Sequence, residues 1–279
     1  MSRTIRVAHS PDSDDAFMFY ALAQNLIDTG DLEFVHELQD IETLNRRALD
    51  GELEVTAVSI HAYAYLADRY ALLPHGASMG EGYGPRIVAR QPMSPADLAG
   101  RRVAVPGTMT SAYLALRLFL PDVETEVVPF DEIIEHVSEG RSDAGVIIHE
   151  GQLTYADEGL HLVTDLGVWW AAETGGLPLP LGGNVIRRDL GDDLIRRASR
   201  LLRASIAYSL DHRAPAIAHA RQYGRGLDER QTDEFVGMYV NQRTLDYGED
   251  GRRSVQLFLD RGHEAGIIPH RVVVDFVED

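Results

Sequence analysis

Short apolar runs that alternate with helical spacings of apolar residues set the plan of this chain. Residues 4–9, Thr-Ile-Arg-Val-Ala-His, predict a first strand. The polar loop His9 to Asp15 then opens a helix over Ala16–Asn25, with Asp12, Ser13 and Asp14 as N-cap residues. Leu32–Leu38 alternates like a strand, Ile41–Asp50 has helical spacing, and Glu54–Ile60 is a strand followed by the alternating Ser59, His61, Tyr63 and Tyr65. This βαβαβ order predicts a mostly parallel sheet with crossover helices.

The pattern resumes after a glycine-rich loop, Gly76–Gly84, and a strand, Arg86–Arg90. It runs as strand Val103–Val105, loop Pro106–Thr110, helix Ser111–Phe119, strand Thr125–Pro129, helix Phe130–Glu139 and a buried strand from Gly145 to Ile148. The two units share an architecture but no repeated sequence. Another strand follows at Asn184–Arg188, and from Asp192 onward the spacing is mostly helical, over 194–210, 215–223, 228–240 and 250–265. The expected architecture is α/β and two-lobed, each lobe a mixed, mostly parallel sheet flanked by helices. Residues 1–88 and 185–279 form a larger lobe and 89–184 a smaller one. The cleft between lobes is the default ligand site of such a fold.

Composition narrows the chemistry. The chain has no cysteine, so disulfides, thiolate catalysis and cysteine metal sites are excluded. All 26 basic residues are arginine, which removes Schiff-base and P-loop lysine chemistry. A formal charge of −18 argues against a nucleic-acid partner. No apolar run reaches the about 18 residues of a membrane span, and Met1-Ser-Arg-Thr-Ile-Arg-Val enters a strand directly, so a cytoplasmic protein without membrane attachment is expected. The expected partner is a small-molecule anionic substrate, and the expected assembly a monomer or homodimer.

Candidate chemistry gathers where strands end, because open α/β sheets bind ligands there. His149, followed by Glu150, Gly151 and Gln152, stands at the carboxyl end of a buried strand, on a loop expected to face solvent. It lacks the second histidine of a zinc protease, and no Gly-x-Ser-x-Gly elbow accompanies it. It is either an acid–base group or a binding residue. In Pro106-Gly-Thr-Met-Thr-Ser111, Thr108, Thr110 and Ser111 at a helix start either bind a carboxylate or simply cap the helix. Ser10, Asp14 and their neighbours form an acidic first loop without calcium-loop spacing, so no metal is expected and a capping loop that touches ligand is the reading. Ser59 and His61 line one cleft wall or belong to a half-buried strand. The glycines at 80–84 lack dinucleotide spacing.

Four stretches, Glu-Val-Thr-Ala-Val-Ser-Ile-His-Ala-Tyr-Ala-Tyr-Leu (54–66), Val-Pro-Gly-Thr-Met-Thr-Ser-Ala-Tyr-Leu (105–114), Asp-Ala-Gly-Val-Ile-Ile-His-Glu-Gly-Gln (143–152) and Leu-Pro-Leu-Pro-Leu-Gly-Gly (177–183), together resemble the 1,4-dihydroxy-6-naphthoate synthase family of the futalosine route to menaquinone. The resemblance implies a type II periplasmic-binding-protein fold turned into a cytoplasmic, cofactor-independent lyase. Its substrate would be cyclic dehypoxanthine futalosine, split into 1,4-dihydroxy-6-naphthoate and a sugar-derived fragment. It implies His149 as general base for carbon–carbon cleavage and places Thr108 and Thr110 at the substrate. Ser10, Asp14, Ser59, His61, Ser111 and Asn184 complete the expected binding set. The first loop departs from the family's usual Ser-Pro-Cys-Pro-Asn-Asp-Thr-Phe, with Asp12, Ser13, Asp14 and Ala16 at the changed positions. Two added negative charges there would repel an anionic substrate. A solute-binding protein for a small carboxylate, and a chorismate dehydratase, are the alternatives.

Overall fold

A computed structural model describes residues 2–224 and 226–278. Among them the strands are β1 (Arg3–His9), β2 (Leu32–Leu38), β3 (Val55–Ser59), β4 (Tyr70–Leu72), β5 (Ser78–Gly80), β6 (Arg86–Ala89), β7 (Arg102–Val105), β8 (Glu124–Val127), β9 (Ala144–Ile147), β10 (His161–Asp165) and β11 (Leu179–Arg187). They form two sheets. One has the order β2-β1-β3-β11-β4, with β5 paired to β11; the other has the order β10-β6-β9-β7-β8.

Each sheet has the same heart. β1 lies parallel to β2 and β3, and β7 lies parallel to β8 and β9. One antiparallel strand then flanks each trio, β11 beside β3 and β6 beside β9. Both flanking strands adjoin a crossing between the sheets, since the chain enters the second sheet at β6 and returns to the first at β11. The expected boundaries at 88/89 and 184/185 fall inside these strands. Backbone pairing holds Arg86–Ala89 wholly in the second sheet and Leu179–Arg187 wholly in the first.

The apolar residues read from the pattern build the core. Ile5, Val7, Phe17, Met18 and Phe19 pack with Leu202 and Ile206 from the helix Asp192–Asp211. Tyr63, Tyr70, Trp170 and Phe258 belong to a second, larger cluster that continues into the smaller lobe through Val103 and Val146. Burying each large side chain contributes about 1.5–3 kcal/mol.

The helix expected over Ala16–Asn25 is instead two short helices, Ser13–Met18 and Tyr20–Ala23. The break has an identifiable cause. The Ser205 hydroxyl donates to the Met18 carbonyl at 3.1 Å and accepts from the Leu22 amide at 3.4 Å. It thereby stands where the direct Leu22-to-Met18 helical hydrogen bond would run, and an inserted side chain of this kind breaks a helix. The break leaves Phe19 buried and stacked on His9, with ring centroids 4.6 Å apart.

Candidate active site

The carboxyl ends of β1, β3 and β9, the start of the helix Ser111–Phe119 and the middle of β11 border an open cleft. Of the residues expected from sequence, Ser10, Asp14, Ser59, Thr110, Ser111 and Asn184 line it. Asp12 and Asp15 of the acidic first loop join them, as do Ser78, Gln152 and Tyr239, which were not among the expected site residues.

Thr108, His61 and His149 stand outside that lining. Thr108 is half-buried in a loop whose next peptide, Met109, donates its N–H to the Glu42 carboxylate at 3.1 Å. Glu42 packs so closely on the loop that a Cβ on Gly107, whose φ is +152°, would lie 2.6 Å from its Cγ. The carboxylate expected at this loop is thus supplied, in this conformation, by the protein. His61 lies behind the wall. Its Nδ1 is 3.2 Å from the Thr110 carbonyl, so that nitrogen carries the proton, and burial lowers its pKa to about 4. Its peptide N–H donates to the Ser111 hydroxyl at 3.2 Å.

His149 is 5% exposed, at odds with the solvent-facing loop expected for it, and its ring packs edge-on to Phe130 with centroids 5.6 Å apart. Its Nδ1 accepts the Gly151 N–H at 2.9 Å. The ring borders a separate depression with Asp131, Glu135 and Glu150. Its neighbours Ile148 and Gln152 do line the cleft, so one turn of backbone separates the imidazole from it.

Hydrogen-bond accounting divides the cleft hydroxyls. Thr110 donates to the Gly107 carbonyl at 2.9 Å and caps its helix by accepting from Tyr113 N–H at 3.1 Å. Ser111 donates to the Leu181 carbonyl at 2.5 Å and so joins the smaller lobe to β11. Ser10 donates to Asp12 at 2.9 Å. Ser59 differs: its hydroxyl accepts from the side-chain amide of Asn45 at 3.1 Å. Two more contacts tie the lobes together. Ser13 donates its N–H and its hydroxyl to Glu150, at 3.3 and 3.1 Å, and Tyr239 donates its hydroxyl to the side-chain amide oxygen Oε1 of Gln152 at 2.8 Å.

The floor is acidic. Burial and the neighbouring Asp15, Asp12 and Glu150 carboxylates push Asp14 well above the usual carboxylate range. Asp15, which accepts the Ser10 N–H at 2.7 Å, is raised to about 6, chiefly by burial. Both residues are half-buried and line the cleft, and depth in the protein rather than full enclosure desolvates them. Among the described residues no group of three or more histidine, aspartate or glutamate side chains is placed to hold a metal ion.

Comparison with known proteins fits this geometry to a family. A family described as menaquinone biosynthesis matches residues 5–264. The chain belongs to that menaquinone-biosynthesis family. A 1,4-dihydroxy-6-naphthoate synthase of Thermus thermophilus is 42% identical over 264 residues, covering 94% of this chain and 95% of the relative. A second, from Streptomyces coelicolor, is 38% identical over 275 residues, 95% of each chain. A solved Archaeoglobus fulgidus structure superposes with a TM-score of 0.91 at 47% identity, covering 95% of this chain and 98% of that one. The alkanesulfonate-binding protein of Xanthomonas axonopodis pv. citri matches with a TM-score of 0.71 at 16% identity, covering 98% and 97%. That likeness shows the fold, the two-lobed architecture of periplasmic binding proteins.

In this family member one glycine beside the cleft is obligatory. Gly76 has φ +78°, and a Cβ there would lie 2.9 Å from Cγ of Asn184. Gly76→Ala would combine left-handed strain of about 1–2 kcal/mol with displacement of a cleft side chain. The expected result is a lower urea midpoint with an unchanged slope, together with a raised KM.

Proposed function

We propose that this chain converts cyclic dehypoxanthine futalosine to 1,4-dihydroxy-6-naphthoate and a sugar-derived fragment, with His149 as general base. The observation that carries the reading is 42% identity to a named synthase over 94% of the chain, joined to a cleft between the lobes lined by hydroxyl, amide and carboxyl groups. The two-lobed fold encloses the ligand, and hydroxyl and amide groups of Ser59, Ser78 and Asn184 face it. His149 withdraws a proton, and cleavage of the carbon–carbon bond lets the ring aromatise. To do so its ring leaves Phe130 and exchanges the Gly151 hydrogen bond for one to substrate, through a turn of the segment between Ile148 and Gln152. Asp14 and Asp15 accept the substrate's anionic end more readily in their protonated forms. A cytoplasmic location is in keeping with a biosynthetic role, and no described helix is long and apolar enough to cross a membrane.

Incubating the purified protein with cyclic dehypoxanthine futalosine should release 1,4-dihydroxy-6-naphthoate, read by mass spectrometry. Tight binding without product would instead favour a solute-binding protein.

A further inference from the structure

We propose that Asn45 is a positioning residue that turns the Ser59 hydroxyl into a hydrogen-bond donor aimed into the cleft, where it holds an acceptor oxygen of the anionic substrate. The proposal rests on the reading of the cleft as the reaction site. Asn45 lies on the helix Ile41–Leu49, is fully buried and does not line the cleft, so it acts only through its neighbour. Its amide orientation is fixed by a hydrogen bond of known direction. The Ser59 peptide N–H donates to Asn45 Oδ1 at 2.8 Å, which turns Nδ2 toward the Ser59 hydroxyl at 3.1 Å. Nδ2 also points at the Met109 carbonyl at 3.5 Å, again as donor.

An amide nitrogen donates and does not accept, so Ser59 Oγ is the acceptor in this pair and its own proton must be directed elsewhere. Ser59 lines the cleft, and among the described residues no protein acceptor takes that proton. The contrast with the other expected hydroxyls is specific, because Ser10, Thr110 and Ser111 all spend their protons on protein oxygens. Ser78 also faces the cleft, but no comparable pair of bonds orients it among the described residues. A donor whose direction is set by a buried amide loses little freedom when a ligand oxygen arrives, and such preorganised donors discriminate best.

Asn45→Asp inverts the device with almost no change in shape. One carboxylate oxygen keeps the Ser59 N–H, while the other accepts the Ser59 proton and withdraws it from the cleft. At about pH 8, KM for cyclic dehypoxanthine futalosine should rise about ten- to a hundredfold, the cost of one hydrogen bond to a charged group, with kcat much less changed. Acidification that protonates the introduced carboxyl should restore a donor to Ser59 and bring KM back toward wild type. Ser59→Ala should show the same KM loss without recovery at low pH, and the double variant should be no worse than Ser59→Ala. Should Asn45→Asp fail to fold, judged by its melting curve, Asn45→Ala replaces it in the cycle with Ser59→Ala, and non-additive KM effects are again expected. An unchanged KM, or losses that add, overturns the proposal while leaving the reaction standing. If wild type yields no naphthoate, the reaction falls instead. Asn45 is then judged on fluorescence-detected binding of 1,4-dihydroxy-6-naphthoate at about pH 8, where wild type must bind about tenfold more tightly than Asn45→Asp; equal affinity, or no binding by wild type, overturns it.

Discussion

Replacing His149 by alanine is expected to lower kcat on cyclic dehypoxanthine futalosine by about a hundred- to ten-thousandfold, the range that a positioned general base supplies. The fold should survive. The ring accepts a hydrogen bond from its near neighbour Gly151 and packs edge-on to Phe130, and the strand that leads to it is held by β6 and β7 on either side. Melting should therefore shift by only a few degrees, which separates loss of chemistry from loss of structure. KM is the informative companion. His149 does not line the cleft here, so a base that swings in only on the way to the transition state should leave KM nearly unchanged when removed. A fall in kcat/KM carried entirely by KM would make His149 a binding residue. A variant with near wild-type turnover would remove it from the chemistry and shift attention to the carboxyl groups of Asp14 and Asp15.

The two-lobed α/β plan was legible in sequence because short β-branched runs and amphipathic spacings recur in the same order twice. The cleft hydroxyls at 10, 59, 110 and 111 were legible for the same reason: they follow strands. What escaped depends on contacts far along the chain. Tyr239 meets Gln152 across the cleft, and Asn45 meets Ser59 from a helix face that reads only as amphipathic. The split of the first helix is caused by Ser205, remote in sequence, so no local signal marks it. His61 had the alternation of a cleft residue, yet β3 ends at Ser59 and the following turn, Ile60–Tyr63, is helical, which rotates the imidazole behind the wall. Gln152 did carry a signal, since it closes the family-like stretch 143–152.

Acidification is expected to cost the protein most of its stability between about pH 6.5 and 4. Four histidines set this window. Burial is the main cause in each: His9, beside His36, is lowered to about 3, and His36, His61 and His75 each to about 4. His9 and His36 also face one another at 3.1 Å, so a proton on either is repelled by a proton on the other. In the unfolded chain all four titrate near 6.5. As pH falls below that value the unfolded state takes up protons that the folded state refuses, so unfolding gains, and the loss continues until the folded values are reached. At pH 5 each group lowered to about 4 costs about 2 kcal/mol, and the four together approach the whole margin of an ordinary domain. Asp15 works in the opposite direction. Its folded value of about 6 exceeds the unfolded 3.8, so the folded state binds the extra proton and regains about 1 kcal/mol by pH 5. Asp14, raised for the same reason of burial among carboxylates, adds in the same sense. The histidines prevail because they are more numerous, and urea midpoints should fall steadily from pH 7 to 5 at constant slope. Asp15→Asn, which keeps an oxygen for the Ser10 N–H, separates the two effects. It should be more stable than wild type at pH 7.5 by about 1–2 kcal/mol, after allowance for the side chain's exposure to the cleft, and it should lose stability more steeply on acidification. A midpoint that stays level to pH 5 would mean that these histidines accept protons in the folded protein, and hence that the pockets around His9, His61 and His75 open to water.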